Sequence, residues 1–387
     1  MYNTIIIGAG PVGSYLAIKL ALLGRKVIVL EKKPVAGHSI CCTGIISKEC
    51  YDLLSLDGNI ATRRANSAKF FTPSGRCIRL WRSDEVAYIT DRAALDYELA
   101  SKAQKMGVTY HFSTQVPGLE FATNRLLVKA NSHEGEKVFE AETAIITTGY
   151  GSDLPRNLGL GKINDFNMGA QTEVTTNSVN EVEIYFDQKL SPGGFAWLVP
   201  TGDDKGLAGL ITRQQPEQHL AQLISRLQTQ GKISTVVPPN RYAAIPLRPL
   251  PRTYTARILV VGEAAGQVKP ITSGGIYYGL ICADIAANVL HQALNSGDLS
   301  AARLSTYQKQ WQAKLGRELI IGYWTQRLWA KLPNSLIEYL FNIAQKRHIP
   351  ELVATSKNFS FDWHSQLLLQ IARSLLPHHS QSQKFPL

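Results

Sequence analysis

Three glycines at fixed spacing, in Gly8-Ala9-Gly10-Pro11-Val12-Gly13, are the first residues of this chain equipped for chemistry. A GxGxxG turn binds the pyrophosphate of a dinucleotide when it follows a strand and opens a helix. The first glycine permits the tight turn, the second lets backbone N–H groups approach the anion, and the third lets helix pack on strand. The helix N-terminus then faces the anion. Glu31, 18 residues after Gly13, ends the next apolar run and suits the ribose hydroxyls of an adenosine. Pro11, Val12 and Lys32 belong to the same turn-and-acid unit and count among its expected contacts. A second glycine-rich cluster comes far downstream: Gly262-Glu263-Ala264-Ala265-Gly266, then Pro270, then Gly274-Gly275-Ile276. Two such units from opposite ends of a chain suit a long, extended cofactor. One grips adenosine diphosphate and the other a ribityl chain and ring, which favours FAD over a nicotinamide as the resident cofactor. Arg92, in the first turn of a helix opening at Asp91, offers charge-assisted hydrogen bonds to phosphate or ribose, or is simply an exposed cation.

These groups need strands, turns and helices to hold them, and the apolar spacing supplies each. Thr4 to Ile7 is a short apolar run, Ser14 to Leu23 has helical spacing ending at Gly24, and Val27 to Leu30 reads as a buried parallel strand. The Asp91 helix has the apolar face Leu95, Leu99, Ala103 and Met106 and stops at Gly107. Ala144-Ile145-Ile146-Thr147-Thr148-Gly149 is a buried strand ending in a small-residue turn. Ile258 to Val261 is another, and it feeds the second glycine cluster and a helix to Leu290. In between, Val182, Ile184 and Phe186 alternate with Glu181, Glu183 and Tyr185, the pattern of a strand with one wet face. Phe195 to Pro200 and Leu207 to Ile211 flank Thr201 to Gly206 as a hairpin. The expected fold is α/β. A Rossmann-type FAD-binding domain is built from 1–60, 86–160 and 251–297, an antiparallel β-sheet substrate domain from 61–85 and 161–250, and a C-terminal helical region from 298–387. In that last region Leu304, Tyr307, Trp311, Leu315 and Leu319 form one apolar stripe, and Leu367, Leu368, Ile371 and Leu375 another.

Composition removes several classes. At 387 residues the chain exceeds the roughly 50–200 that one hydrophobic core usually organises. With 44% hydrophobic and 18% charged residues it is not a largely disordered chain, and its 30 glycines fall in aperiodic clusters that exclude collagen-like and repeat architectures. No apolar run reaches about 18 residues, so no spanning helix is expected. No basic segment precedes Ile5, so no secretory leader is expected either. Five cysteines without Cys-x-x-Cys or Cys/His ligand spacing suggest neither a disulfide framework nor a metal site, and point to a reducing, cytoplasmic compartment. The net charge of +11 is uneven: Asp298 to Leu387 holds 11 Lys/Arg against 5 Asp/Glu. That excess suits a phosphate-bearing ligand or an anionic membrane surface, or is a solvated basic face. No nucleic-acid-binding module is present, so nucleic acid is not an expected partner. Nothing in the sequence speaks to oligomeric state.

Four blocks resemble the FAD-dependent geranylgeranyl reductases, a family within the p-hydroxybenzoate-hydroxylase-like flavoproteins. They are the N-terminal GxGxxG with Glu31; Cys41-Cys42-Thr43-Gly44-Ile45, similar to the family's Cys-Gly-x-Gly-Leu; Phe195-Ala196-Trp197-Leu198-Val199-Pro200, similar to its aromatic-x-Trp-x-Phe-Pro; and Gly262 to Ile276, similar to its late flavin block. The blocks span residues 1 to about 290. Two departures stand out: Glu263 replaces the family's aspartate, and Thr148-Gly149 stands where hydroxylase-like members carry Asp-Gly. The second departure weakens NADPH as the direct electron donor and leaves a quinol or a reduced carrier such as ferredoxin open.

The resemblance implies a reductase of isolated C=C bonds in an isoprenoid or prenyl-lipid chain, with a hydride from reduced flavin N5 and a proton from an acid. It places Cys41 near the flavin ring as a proton relay or orienting thiol; a small buried hydrophobe is the other reading. Trp197, with Phe195 on the same strand face, suits a prenyl wall and can stabilise developing positive charge, or is ordinary sheet core. Cys50, Cys77 and Cys282 carry no motif. Tyr323, Trp324, Leu328 and Trp329 beside Arg327 and Lys331 suit peripheral contact with an anionic membrane. Three alternatives share the motifs: a flavin monooxygenase or halogenase, a redox-neutral lycopene-cyclase-like isomerase, and a flavin-bearing protein without turnover.

Overall fold

Apolar runs from both ends of the chain become neighbours in one sheet. The computed structural model describes residues 1–56, 60–356, 360–366 and 368. Strand Tyr2–Ile7 lies between Val27–Leu30 and Gly135–Ile146, with Thr109–His111 outside the first and Ile258–Val260 outside the second, all in parallel. Successive side chains of a strand point to opposite faces. Ile6, Val29, Ile145 and Leu259 therefore share a core with the helices Pro11–Leu22, Arg92–Lys105, Ile276–Ser296 and Ala301–Trp329. Ile5, Ile7, Ile28, Leu30, Ile146 and Val260 face a second core, closed by the antiparallel strands Gln115–Phe121 and Leu126–Ser132. Cover on both faces is why these strands read as unbroken apolar runs.

The second sheet has seven strands in the order Ile233–Pro246, Phe166–Thr176, Lys205–Thr212, Ala196–Pro200, Val182–Tyr185, Ser67–Phe71 and Cys77–Trp81. The Ala196–Pro200 and Lys205–Thr212 strands form the expected hairpin. Two details differ from expectation. Val182–Tyr185 and Ser67–Phe71 pair in parallel, so the sheet is mixed at that junction. Ser67–Phe71 arrives from the cofactor side of the chain rather than through a hairpin, and its own pattern does not encode direction. Residues 61–65 leave this sheet: Ala61–Ala65 pairs with Ala87–Thr90, which pairs with Ile45–Ser47 in a three-stranded bridge.

The predicted wet face on this sheet is buried. Glu183 and Tyr185 are 6% and 2% exposed because helix Pro216–Thr229 covers them, with Leu220, Leu223 and Leu227 packed in the same core. The carboxylate is tolerated because Lys232 Nζ donates to Glu183 Oε2 at 2.6 Å and to the Tyr185 hydroxyl at 2.9 Å. The alternation therefore separated two covered faces. Val182, Ile184 and Phe186 look the other way, into a cavity between the two sheets.

The expected stripe of the tail is the inner face of the 29-residue helix Ala301–Trp329: Leu304, Tyr307, Trp311, Leu315 and Leu319 are all buried. Of the second stripe, Leu367, Ile371 and Leu375 lie outside the described residues, while Leu368 lines the cavity. Among the described residues no helix is long and apolar enough to cross a membrane, and no cluster of His, Cys, Asp or Glu could hold a metal ion.

Candidate active site

Each glycine of the first turn has a different structural reason. Gly8 has φ +110°, and a Cβ there would lie 2.6 Å from the Thr147 carbonyl oxygen. A Cβ on Gly13 would sit 2.0 Å from the Gly8 carbonyl oxygen, so the helix can approach the strand only without one. Gly10 is unlike both: its φ of −68° suits any residue, and a Cβ there meets nothing within 4 Å among the described residues. Protein packing does not require glycine at this position, and the open space in front of it belongs to the cavity. No side chain caps the helix that Gly10 begins, so its first N–H groups keep free hydrogen-bonding capacity toward that space. Glu31 holds the turn from behind, accepting from the Ala9 N–H at 2.6 Å and the Lys33 N–H at 2.8 Å. Lys32, at the cavity rim, is exposed.

The cavity runs from this turn past Arg92 and Glu263 to Gly274-Gly275-Ile276 and on beneath the second sheet, with a volume of about 1810 Å³. Single-ligand pockets usually occupy roughly 300–1,000 Å³. There is room for a long cofactor and a second large occupant. Arg92 is not the exposed cation of the alternative reading. It is mostly buried, with Nη2 2.9 Å from Asp96 Oδ1, and its Nε has no partner among the described residues. Burial pushes the Glu263 carboxyl up to about 7, against the opposing pull of Arg92. An uncapped helix end, open space at Gly10, an unpartnered guanidinium N–H and the length of the cavity all fit a dinucleotide such as FAD.

Cys41 lies in the same cavity and its thiol points to the Arg241 carbonyl at 3.5 Å. Burial, with a smaller contribution from Cys42, pushes it up to about 12, so it keeps its proton at neutral pH. Gln171 donates to the Cys42 carbonyl at 3.3 Å, while its own Oε1 is buried without a partner among the described residues. Cys50 also borders the cavity, although nothing in the sequence marked it; Cys77 is exposed and Cys282 buried in the core.

Under the second sheet the walls are aromatic. Phe195 and Trp197 stand on one face of their strand with ring centroids 5.9 Å apart. Trp197 is 8% exposed and packs flat over Gly209, where a Cβ would come within 2.5 Å of its ring. Its Nε1 has no hydrogen-bond partner among the described residues. Phe186 is the hub of the chamber, with ring centroids 5.0 Å from Trp329, 5.7 Å from Phe341, 6.2 Å from Phe70 and 6.3 Å from Phe195. Sequence reasoning missed Phe70, Phe186 and Phe341 as site residues, because they come from three distant segments; Phe186 alone carried a signal, at the end of the alternating strand.

The predicted interfacial stretch divides in two. Trp329 turns inward, donating to the Gly194 carbonyl at 3.0 Å, and Tyr323 donates to Asp165 at 2.8 Å. Helical geometry imposes the division, since Trp324 and Trp329, like Tyr323 and Leu328, are five residues apart and point about 140° away from each other. Trp324 and Leu328 remain outside, each 64% exposed, joined by Ile320 at 62%.

Comparisons with known proteins bear on these features. No family model matches the chain. It is 28% identical over 340 residues to a digeranylgeranylglycerophospholipid reductase of Methanocella arvoryzae, covering 83% of this chain and 86% of that protein. It is 29% identical over 329 residues to digeranylgeranylglycerophospholipid reductase 2 of Methanothermobacter thermautotrophicus, covering 82% and 85%. Among solved structures, a geranylgeranyl bacteriochlorophyll reductase-like protein of Thermoplasma acidophilum superposes with a TM-score of 0.86 at 21% identity, over 97% of this chain and 96% of that one. A flavin-dependent halogenase is more distant, with a TM-score of 0.68 at 17% identity over 96% of this chain and 76% of that one. The fold is that of the p-hydroxybenzoate-hydroxylase-like flavoproteins, and the resemblance to the geranylgeranyl reductases extends well beyond the four motif blocks.

Proposed function

We propose that this chain is an FAD-dependent oxidoreductase that reduces isolated C=C bonds in the geranylgeranyl-type chains of a prenyl lipid. The observation that carries the reading is the continuity of one cavity, from a dinucleotide turn at Gly8–Gly13 to an aromatic chamber around Phe186. The reductase names of relatives that match over four fifths of the chain support it. Residues 1–60, 86–160 and 251–297 would make up the cofactor domain and 66–85 and 161–250 the substrate domain, with the bridge strand Ala61–Ala65 between them, and the helical tail supplies Trp329 and Phe341 to the substrate wall.

Gly8, Gly10, Pro11, Val12, Gly13, Glu31 and Lys32 hold the adenosine diphosphate end. Arg92, Gly262, Glu263, Gly274, Gly275 and Ile276 hold the rest. Bound there, reduced FAD supplies a hydride equivalent to one carbon of a double bond that has no carbonyl to withdraw charge. The protein must exclude water, orient the chain, and deliver a proton to the other carbon. Phe186, Phe195 and Trp197 do the first two, offering ring faces to a carbon on which positive charge develops. Cys41 holds a proton in the same cavity. A thiol near 12 is too weak to protonate an alkene ahead of the hydride, so the two transfers would be concerted, with only partial positive charge on the carbon that faces the rings. Thr148-Gly149, in place of Asp-Gly, favours a reduced carrier such as ferredoxin over NADPH as the electron source.

The tail helix lends Thr325, Gln326 and Trp329 to the cavity wall, and the outer ridge of that helix suits lipid. Ile320, Trp324 and Leu328 recur at i, i+4 and i+8, with exposed Arg317 and Lys331 at either end. An apolar ridge bracketed by cations suits peripheral contact with an anionic bilayer.

The test is anaerobic reduction of the FAD-loaded protein with dithionite, followed by incubation with a digeranylgeranyl glycerophospholipid and mass spectrometry. The expected product gains two hydrogens per double bond. Gain of oxygen or halogen would assign the oxygenase reading, and unchanged mass with altered chromatography the isomerase.

A further inference from the structure

A buried charge pair beside the second glycine cluster takes no part in the roles assigned above. Lys269 Nζ lies 2.5 Å from Asp362 Oδ1, and the two side chains are 5% and 3% exposed. Lys269 precedes Pro270 in the second glycine cluster. A Cβ on Gly274 would lie 2.7 Å from its Cε and 3.1 Å from its Nζ, so the ammonium rests on the turn that opens helix Ile276–Ser296. Asp362 comes from the C-terminal segment. Tyr278 fixes it by donating to the Asp362 carbonyl at 3.0 Å, and Glu318 helps by accepting from the His364 and Ser365 N–H groups at 3.1 and 3.0 Å. Both members of the pair line the cavity, as does Ser273. Asp362 Oδ2 and Ser273 Oγ are buried with no hydrogen-bond partner among the described residues.

Stability does not account for such a pair, because desolvating two charges commonly costs as much as their attraction returns. What a buried charge does reliably is act strongly on its neighbours, in surroundings that screen it poorly. Two electrons and one proton added to an oxidised flavin ring leave one negative charge on it. An ammonium at the ring end favours that anion and a carboxylate opposes it. We propose that Lys269 and Asp362 form a charge couple that sets the redox balance of the bound cofactor, with the C-terminal segment supplying the restraining half. This rests on the reading that the cavity holds FAD with its ring toward the Val268–Gly275 loop.

The experiment measures the midpoint potential of the FAD-loaded full chain by equilibration with reference dyes, together with the affinity for oxidised FAD. Lys269→Met is expected to move the potential negative and Asp362→Asn to move it positive. Each shift should reach at least tenfold in the ratio of reduced to oxidised affinity, which is about 30 mV for a two-electron couple. Lys269→Arg, which keeps the charge, is expected to hold the wild-type potential even if Lys269→Met folds poorly. Shifts of the same sign in Lys269→Met and Asp362→Asn, or a potential unmoved in both while FAD still binds, would overturn the charge couple. Failure of the wild-type chain to bind FAD would overturn the reading of the cavity itself.

Discussion

Gly10 separates ligand binding from folding more cleanly than any other residue of the site. Replacing it with alanine puts a methyl group where nothing protein-borne lies within 4 Å, at backbone angles that alanine adopts freely. Alanine is a poorer helix N-cap than glycine, but it gains about 0.4–1 kcal/mol by restricting the unfolded chain. The two effects nearly cancel, and the ligand-free Gly10→Ala protein is expected to melt within a few degrees of wild type. Gly13→Ala has no such freedom. Its methyl would lie 2.0 Å from the Gly8 carbonyl oxygen and 2.7 Å from Thr147 Oγ1, and the first of these is backbone. Overpacking typically costs about 1–3 kcal/mol, and a clash with backbone belongs at the upper end of that range. For the cofactor the order reverses. A methyl at Gly10 stands between the N–H groups of the turn and a pyrophosphate, and each charge-assisted hydrogen bond lost is worth about 1.5–3 kcal/mol. FAD should therefore bind at least tenfold more weakly to Gly10→Ala, about 1.4 kcal/mol. Titration by quenching of flavin fluorescence, paired with a melt of the ligand-free protein, reads both quantities. Wild-type FAD affinity in Gly10→Ala would refute the reasoning, as would a melting loss as large as that of Gly13→Ala.

Three further outcomes follow from burial and charge. Iodoacetamide at pH 8 should modify the exposed Cys77 first and leave Cys41 largely unreacted, because the Cys41 thiol sits near 12; peptide mass spectrometry reads the order. Glu263 keeps its proton in the folded protein up to about 7 but releases it near 4.5 when unfolded, so its contribution to stability declines as pH rises through that window. Glu263→Gln should flatten the fall in melting temperature of FAD-free protein between pH 4.5 and 7, and an unchanged slope would discount the buried carboxyl. Trp324→Asp with Leu328→Asp should abolish co-flotation with anionic liposomes while leaving FAD binding intact; equal flotation of variant and wild type would free the helix ridge of that role.

The parallel strands and the first helix were legible because one residue type after another repeats a local rule. Ile5, Ile6 and Ile7 are apolar whichever face each takes, and Gly13 marks a contact with Gly8 made within a few residues. The glycine-rich turns and Trp197 were legible for the same reason, lying in short contiguous blocks. What could not be read was set by distant partners. The polar face of Val182–Tyr185 looked wet because the covering helix, Pro216–Thr229, lies some thirty residues on, and the countercharge, Lys232, follows that helix. The chamber around Phe186 draws rings from residues 70, 195, 329 and 341, and no window of sequence contains them together. Lys269 carries no local signal, because its partner Asp362 lies 93 residues further along the chain.

The long tail helix touches both halves of the cavity at once. Near its start Tyr307 bonds Gln267 and the Val260 carbonyl, and Trp311 bonds Thr253; near its end Gln326 and Trp329 bond the Gly193 and Gly194 carbonyls. At 1.5 Å per residue, its 29 residues make a rod of about 44 Å. Such a rod works as a calliper. It fixes the gap between the sheet that carries the glycine turn and the sheet that carries the aromatic wall, so an insertion of even one residue within it would rotate Trp329 out of the chamber by about 100° while leaving every motif of the first 290 residues in place.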